Sequence, residues 1–266
     1  MNLEVVIEGV GLWAAGLAGW EASRARISGE VAVDTAAATR PAPALLAPTE
    51  RRRAPDSVLL ALEVAQQATA MAGRDARDMP ILFASAFGDL AISDYLCATL
   101  TGAPLQVSPT KFHNSVHNAP AGYWAIATGC MAGTTAMSAG EATFGAGLLE
   151  AALLAQSENV PVLFAVYDLA ASGPLGDVIA CRLPFAAAFV LAPGHERGGA
   201  SLRLELRPGT AALAPAPSLL QAVYQENPAA RCLPLLSALA EPAARTFELS
   251  AGPQLTLHTE VGLWLS

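Results

Sequence analysis

Short runs of apolar residues recur along the chain, and most of them end at a glycine or a polar turn. Four runs are apolar at nearly every position and predict buried strands: residues 4–10, 80–88, 160–168 and 184–192. Segments with the spacing of helices lie between several of them. Alternation of helices with strands that are apolar throughout is typical of a layered α/β domain whose sheet is covered on both faces.

The clearest helix lies between two such strands. It is predicted to begin at Asp56 or Ser57, either of which can cap its amino terminus, and to run to about Ala72. Gly73 follows and suits the left-handed turn that ends many helices. This pattern predicts a helix that packs one apolar face on the sheet.

Weaker patterns fill the rest of the amino-terminal two thirds. Residues 12–30 and 89–101 suit helices, whereas residues 31–55 are rich in alanine and proline and predict an extended surface loop. Residues 201–209, SLRLELRPG, alternate between apolar and polar positions, which predicts an exposed edge strand.

The composition of the chain changes near Pro215. A helical region interrupted by prolines precedes two short strand candidates, RTFELS and QLTLHTEV. We therefore predict one large domain over residues 1–214 and a small appendage over residues 215–266 that packs on it.

The stretch from Ser108 to Glu150 carries the most functional information. An apolar strand, Thr134–Ala139, stops at a glycine, and an apolar helix follows over residues 142–155. Proteins of the α/β class often hold a nucleophile at such a strand-to-helix turn. Here the turn residue is Glu141, a carboxylate.

The composition restricts the functional classes. The formal net charge is −8 and Arg51-Arg52-Arg53 is the only basic tract, so nucleic acid is not expected as a partner. With no signal-peptide pattern at the start and no uncharged apolar run of membrane length, a cytoplasmic protein without membrane insertion is predicted. Only 14% of residues are charged, which fits either an obligate oligomer or the bias of a GC-rich genome.

Several motifs in order resemble the amino-terminal half of β-ketoacyl synthases, members of the thiolase superfamily. They are EGVGLWAAG, SAFGDL, SPTKFHNSVHNAPAG and AGYWAIATGCMAGTTAMSAGE, and the likeness extends over residues 3–195. The segments APTERRRAPDSV and FHNSVHNAPAGYWAI are most similar to the chain-length-factor type of subunit from aryl polyene and pigment clusters. The resemblance implies a thiolase-like half, with a mixed five-stranded sheet covered by helices.

The same resemblance implies that condensing chemistry is missing. The nucleophilic cysteine of the family falls on Glu141, and a carboxylate is a poor acyl acceptor. Cys130 lies before the strand, and neither His195 nor His258 lies in a motif like the second-half histidines of the family. We predict no catalytic residue, no cofactor and no metal site, because the four cysteines lack the spacing of zinc ligands.

Two enzymatic alternatives involve the histidines before the strand. His113 and His117 are four residues apart, as in a helical metal pair, and Ser115 lies beside them as in a hydrolase; hydrogen-bonded loop histidines are the favoured interpretation. Glu141 acting with His113 or His117 as a general base would suit a stand-alone acyl-thioester decarboxylase or hydrolase.

The resemblance also implies a partner. Ketoacyl synthases dimerise through the strand that here is Thr134–Ala139, and the loop Ser108–Asn118 would approach the acyl tunnel of the partner. The predicted partner is a catalytic ketosynthase or a second copy of this chain, with an acyl carrier protein reached through the complex; a homodimeric non-catalytic scaffold is a third possibility. Candidate tunnel or interface residues are Phe112, Ser115, His117, Asn118, Met137, Ser138, Glu141 and Phe144, although the two phenylalanines are equally suited to an ordinary core.

Overall fold

The structure is a computed structural model of the chain. It describes residues 2–34, 40–194, 197–211, 220, 225–241 and 243–265. His195, considered above, lies outside the described residues.

The described residues form nine strands and eight α-helices. The strands are β1 (Asn2–Ala14), β2 (Leu17–Ala18), β3 (Ile81–Ala84), β4 (Thr134–Met137), β5 (Val162–Asp168), β6 (Phe185–Ala192), β7 (Gly199–Pro208), β8 (Arg245–Gly252) and β9 (Leu255–Leu265). The helices are α1 (Trp20–Ile27), α2 (Pro48–Arg53), α3 (Asp56–Ala72), α4 (Leu90–Gly102), α5 (Pro109–His113), α6 (Ala119–Thr128), α7 (Thr143–Glu158) and α8 (Leu233–Ala240).

All nine strands belong to one mixed sheet with the order β4-β3-β5-β6-β1-β7-β9-β8, and β2 pairs with the end of β1. Strands β4, β3 and β5 are parallel to one another, whereas β6 and β1 run antiparallel to their neighbours. The predicted layered α/β architecture is confirmed. The five strands from β4 to β1 form the predicted mixed layer, and the sheet continues beyond them to nine strands instead of five.

Helices cover the two faces of the central strands and form two apolar cores. One core packs α3 and α6 against the sheet, with Trp124, Phe83 and Tyr167 among its largest side chains. The other packs α1, α7 and α8 on the opposite face, around Phe144 and Phe164. Because β5 and β6 are buried from both sides, their sequences are apolar throughout and lack the alternation of a half-exposed strand.

Close backbone packing fixes α3 on β1. A Cβ atom at Gly9 would lie 2.1 Å from the carbonyl oxygen of Ala68, and one at Gly11 would lie 2.0 Å from that of Val64. Only glycine permits this approach, so the EGVGLW segment determines how closely the helix and the sheet pack.

The carboxyl-terminal strands fold over helix α7. The sheet continues from β1 through β7 and β9 to β8, and β8 packs against the first turn of α7. A Cβ atom at Gly145 would lie 2.2 Å from the carbonyl oxygen of Ser250. Leu249, Leu257 and Val261 are buried in the same core as α7. One end of the sheet is thus covered by the chain itself.

Three local predictions were wrong. The helix predicted from residue 12 begins at Trp20, since β1 continues to Ala14, and the loop predicted over residues 31–55 contains the short helix α2. The predicted edge strand at residues 201–209 is interior, between β1 and β9. Its alternation arises because only one face is covered: Leu202 and Leu204 are buried, while Arg203 is exposed and pairs with Glu260.

The predicted boundary between residues 214 and 215 falls in a segment outside the described residues and stays a prediction. The strands β8 and β9 beyond it belong to the same sheet as the rest. Among the described helices, none is long and apolar enough to cross a bilayer.

Candidate functional site

The candidate site lies where the parallel strands end. Strands β3, β4 and β5 finish side by side, with Ala84 opposite both Met137 and Val166. The turns that follow carry Ser85 after β3, Ser138 to Glu141 after β4, and Asp168 at the end of β5. Ligand and catalytic groups in α/β proteins collect at this edge because the strand-to-helix turns converge there.

Glu141 occupies the turn between β4 and α7, as predicted. Gly140 precedes it with φ 57°, a left-handed conformation that favours glycine and lets the chain turn abruptly from the strand. The Arg231 guanidinium donates to the Glu141 carboxylate at 2.8 Å, while the Glu141 side chain stays 65% exposed. The turn between β4 and α7 thus carries a solvent-exposed ion pair.

Asp168 lies behind this turn, fully buried at the end of β5. Its Oδ1 accepts hydrogen bonds from the Ser85 hydroxyl at 2.7 Å and from the Phe87 amide at 3.2 Å. Its Oδ2 makes no hydrogen bond of normal geometry within the described residues. A buried carboxylate with one unpartnered oxygen is costly to ionise.

Burial raises the pKa of Asp168 from 3.8 to about 7. The hydrogen bonds from Ser85 and from the main chain oppose this shift, and the charge of Glu141 adds to it. Both the protonated and the ionised form of Asp168 are therefore accessible near neutral pH.

Two predicted residues attach to the turn after β3. His117 places Nε2 3.0 Å from the carbonyl oxygen of Ser85, and the Ser138 hydroxyl donates to the carbonyl oxygen of Ala86 at 3.0 Å. The Ser85 hydroxyl in turn accepts the Gly88 amide at 2.8 Å. The structure therefore brings His117 and Ser138 together through main-chain carbonyls and not through each other.

The other loop residues lie outward. Phe112 is 65% exposed at the end of α5, and His113 is exposed beside it. The Ser115 hydroxyl donates to the Phe112 carbonyl oxygen at 2.8 Å, and Asn118 precedes the first turn of α6. His113 and His117 make neither a hydrogen bond nor an ion pair with Glu141 within the described residues, so the geometry does not join them as a general-base pair.

Met137 and Phe144 face inward. Met137 is half-buried against the core that contains α7. Phe144 is fully buried and stacks on Phe164 with ring centroids 5.8 Å apart, and it also contacts Phe189. Phe144 thus lies in the apolar core, which was the predicted alternative to a place in an acyl tunnel.

The cysteines are not placed for nucleophilic chemistry. Burial raises the pKa of the Cys181 thiol to about 12 and that of Cys232 well above its usual value, so both stay protonated. Cys130 is buried below the strand, with its thiol donating to the Met79 carbonyl oxygen, and Cys97 is exposed on α4. The described residues contain no cluster of three side chains suited to a metal ion.

The β4 edge of the sheet is open. Strand β4 pairs with β3 on one side, and its residues are exposed or half-buried. Between Asp94 and Glu141 the sequence has a single charged side chain, Lys111, which lies over the ring of Tyr95. Large apolar side chains of this segment are exposed: Leu100, Leu105, Phe112, Val116, Ile126 and Met131.

The fold defines a thiolase-like protein, and a carboxylate, Glu141, lies at its strand-to-helix turn. The model of the β-ketoacyl synthase amino-terminal domain matches residues 20–251. The chain belongs to this family. A comparison with curated protein sequences gives no match.

Solved structures share this fold. A complex of the ketosynthase ApeO with its chain length factor ApeC, from Xenorhabdus doucetiae, matches with a TM-score of 0.70 and 24% identity, over 97% of this chain and 99% of that chain. The ishigamide ketosynthase/chain length factor matches with a TM-score of 0.66 and 12% identity, over 99% and 100% of the two chains. AntDE:AntF, a type II acyl-carrier protein in complex with its ketosynthase, matches with a TM-score of 0.72 and 12% identity, over 99% and 100%.

Sequence reasoning missed three features of this site. Asp168 is the single polar residue that ends an apolar strand at the functional edge, and that position was a usable signal. The scarcity of charge between Asp94 and Glu141 was another, since it marks the open face. The pairing of Arg231 with Glu141 joins residues 90 positions apart, and no local pattern indicates it.

Proposed function

We propose that this protein is a non-catalytic ketosynthase-like subunit of the chain-length-factor type. In the cytoplasm it pairs with a catalytic ketosynthase during elongation of a polyene, polyketide or fatty-acyl chain on an acyl carrier protein. The observation that carries this proposal is the Glu141–Arg231 ion pair at the nucleophile position.

The chemistry at that position argues against acyl transfer by this chain. A carboxylate would have to form a mixed anhydride, which is less stable than the thioester that supplies the acyl group. Arg231 donates a charge-assisted hydrogen bond to the Glu141 carboxylate. The resulting ion pair is suited to a structural role in the turn.

The open β4 edge supports a partner subunit. An edge strand with free main-chain groups can pair with a strand of another chain. Around it, Ile126 is 81% exposed and Met131 is 94% exposed, in a segment with almost no charge. Aromatic and methionine side chains with few charges are characteristic of the centre of protein interfaces. Phe112 at the end of α5, and Ser115, His117 and Asn118 in the loop before α6, are proposed to contact the tunnel of the partner.

Co-expression with catalytic ketosynthases from the genome that encodes this chain, the nearest gene first, tests the proposal. We expect the two proteins to co-purify as a one-to-one complex, and the complex to elongate a carrier-bound acyl chain. Failure to co-purify would remove the partner role. A stable homodimer that does not bind the ketosynthase would instead favour the homodimeric, non-catalytic scaffold.

The chain alone should leave malonyl- and acyl-carrier substrates unchanged, as followed by intact-mass spectrometry of the carrier. Decarboxylation or hydrolysis by the chain alone that is abolished by Glu141→Gln would show that Glu141 has chemistry of its own. That result would contradict the non-catalytic assignment.

A further inference from the structure

Asp168 is the one buried carboxylate at the functional edge, and neither the family chemistry nor the proposed pairing accounts for it. It lies beneath the turns that carry His117, Ser138 and Glu141. Two sets of contacts connect it to them, one through its carboxylate and one through its main chain.

The first set of contacts runs through the carboxylate. Its Oδ1 holds the Ser85 hydroxyl and the Phe87 amide, which fixes the turn after β3. The outward carbonyls of this turn are the groups that meet His117 and Ser138. Moving this turn would therefore move the contacts of both the loop before α6 and the turn after β4.

The second set runs through the main chain of the same residue. The Asn227 side-chain amide donates to the Asp168 carbonyl oxygen at 3.1 Å and to the Leu183 carbonyl oxygen at 2.8 Å. Its Oδ1 accepts the Ala229 amide at 2.9 Å and so caps the turn at residues 228–232. That turn carries Arg231, the partner of Glu141.

We propose that Asp168 is a positioning residue: from beneath the edge of the sheet its carboxylate holds the turn after β3, against which His117 and Ser138 rest, while its main chain helps to hold the turn that carries Arg231, the partner of Glu141. The consequence for partner binding rests on the proposed function above, whereas the consequence for the conformation of the turns does not.

The charge of Asp168 depends on the groups around it. Tyr167 adjoins it on β5, Glu141 faces it from the start of α7, and Cys181 lies near it in the connection to β6. Asp89 and His117 flank the turn after β3. Arg182 lies in the connection to β6, and Glu226 and Arg231 lie in the segment before α8. Near neutral pH the carboxyl is expected to be protonated in part of the population, so the strength of its hydrogen bonds to the turn after β3 is expected to vary with pH.

Three variants test the proposal. Asp168→Ala removes the acceptor, Asp168→Asn retains an acceptor without a titratable proton, and Glu8→Gln is the matched control. Glu8 is also a buried carboxylate, but it pairs with Arg74 away from this edge. Hydrogen exchange of the unbound chain and affinity for a catalytic ketosynthase from the same genome are measured between pH 5.5 and 8.

We expect Asp168→Ala to speed exchange in residues 85–89, 114–118 and 138–141 at least about tenfold, with α3 unchanged. Its affinity for the ketosynthase should fall at least about tenfold. Asp168→Asn should restore both and remove the pH dependence that is left after the intrinsic pH dependence of exchange is subtracted. Glu8→Gln destabilises the chain as a whole, so it should leave the affinity, and the exchange of these segments relative to that of α3, at wild-type values.

Exchange in those three segments that stays at wild-type rates in folded Asp168→Ala would overturn the proposal. So would an equal loss of affinity in Glu8→Gln, because a general loss of stability would then suffice. If the wild-type chain binds no ketosynthase, the proposed function fails, but the exchange result still decides the role of Asp168. If Asp168→Ala does not fold, the pH dependence of exchange in wild type against Asp168→Asn decides it in the same way.

Discussion

The two ends of the sheet are finished in different ways. At the β8 end the strands fold over helix α7, so Leu257 and Val261 are buried by the chain itself and are 0% and 1% exposed. At the β4 end the edge is unpaired within the described residues, and Ile126 and Met131 are 81% and 94% exposed. Within the described residues β8 also pairs on one side only and β9 exposes Leu263 and Trp264, at 52% and 38%, but the apolar side chains of the β4 end are exposed more completely.

The distribution of charge sharpens this contrast. The outer face of β7 and β9 carries ion pairs from Arg203 to Glu4 and Glu260, as a water-facing surface does. The β4 side has Lys111 alone over the span from Asp94 to Glu141. Exposed apolar residues without charges around them mark a surface that is normally covered by another molecule. The comparison therefore supports the proposal that the β4 end, and not the β8 end, contacts a partner subunit.

The largest expected effect is in the core beneath the centre of the sheet, which the chain covers itself. Phe144→Ala should lower the free energy of unfolding by about 3–5 kcal/mol, because it leaves a cavity between Phe164 and Phe189. Phe112→Ala, at the exposed phenylalanine, should change it by less than about 0.5 kcal/mol. Urea unfolding of both variants checks this pair; equal losses would contradict the placement of the two rings.

A double substitution addresses the open end. Ile126→Glu with Met131→Glu should weaken binding of the ketosynthase at least about thirtyfold, because two charges would be buried in an apolar interface. The unfolding free energy of the chain alone should hardly change. Leu263→Glu on β9 is the control, because Leu263 is likewise an exposed apolar residue, and it should leave binding intact. Equal weakening by the control would mean that the two ends do not differ in function.

Close packing at the β8 end can be tested by one methyl group. Gly145→Ala should destabilise the chain by about 1–3 kcal/mol, because its Cβ would overlap the Ser250 carbonyl oxygen. Gly122→Ala on α6 meets nothing within 4 Å and should be neutral or slightly stabilising, as alanine is in a helix interior. Thermal unfolding of the two variants gives the comparison; a neutral Gly145→Ala would show that β8 does not pack on α7.

Between the two ends, Asp168 should make stability depend on pH. Its pKa in the folded chain, about 7, exceeds the ordinary 3.8, so the folded state holds a proton that the unfolded chain releases. The resulting stability is full below about pH 4, falls by about 1.4 kcal/mol per pH unit up to about pH 7, and is level above it. Urea unfolding from pH 5 to 8 should show this slope in wild type and not in Asp168→Asn. The same slope in both proteins would contradict the assignment.

The smallest effect is expected at the exposed ion pair. Glu141→Gln should change the unfolding free energy by less than about 1 kcal/mol, since solvent screens the pair with Arg231. Glu8→Gln, which leaves Arg74 without its buried carboxylate partner, should cost about 3 kcal/mol. A large loss from Glu141→Gln, seen in denaturant titration, would show that the turn depends on the ion pair.

Much of the fold could be predicted because its signals are local. The start of α3 at Asp56, its left-handed end at Gly73, and the strand, turn and helix around Glu141 are each fixed by neighbouring residues. The predicted side-chain cap at Asp56 or Ser57 was wrong, because Pro55 takes the cap position. The course of β7, β9 and β8 could not be predicted, because an alternating strand has the same sequence pattern at an edge and inside a sheet covered on one face.

The site divides in the same way. Glu141 was found from the motif order, and His117 and Ser138 from the loops around it. Their connection through Ser85 and Asp168 depends on contacts between residues 83 positions apart, which no pattern along the chain specifies.

The most direct test of the assembly role is the mass of the species formed when this chain and a catalytic ketosynthase from the same genome are mixed at equal concentration, measured by native mass spectrometry. We expect the mass of a complex with one copy of each chain. This complex should no longer form when Ile126 and Met131 are both replaced by glutamate. Separate species at micromolar concentrations, or a heterodimer indifferent to that double substitution, would contradict the assembly role.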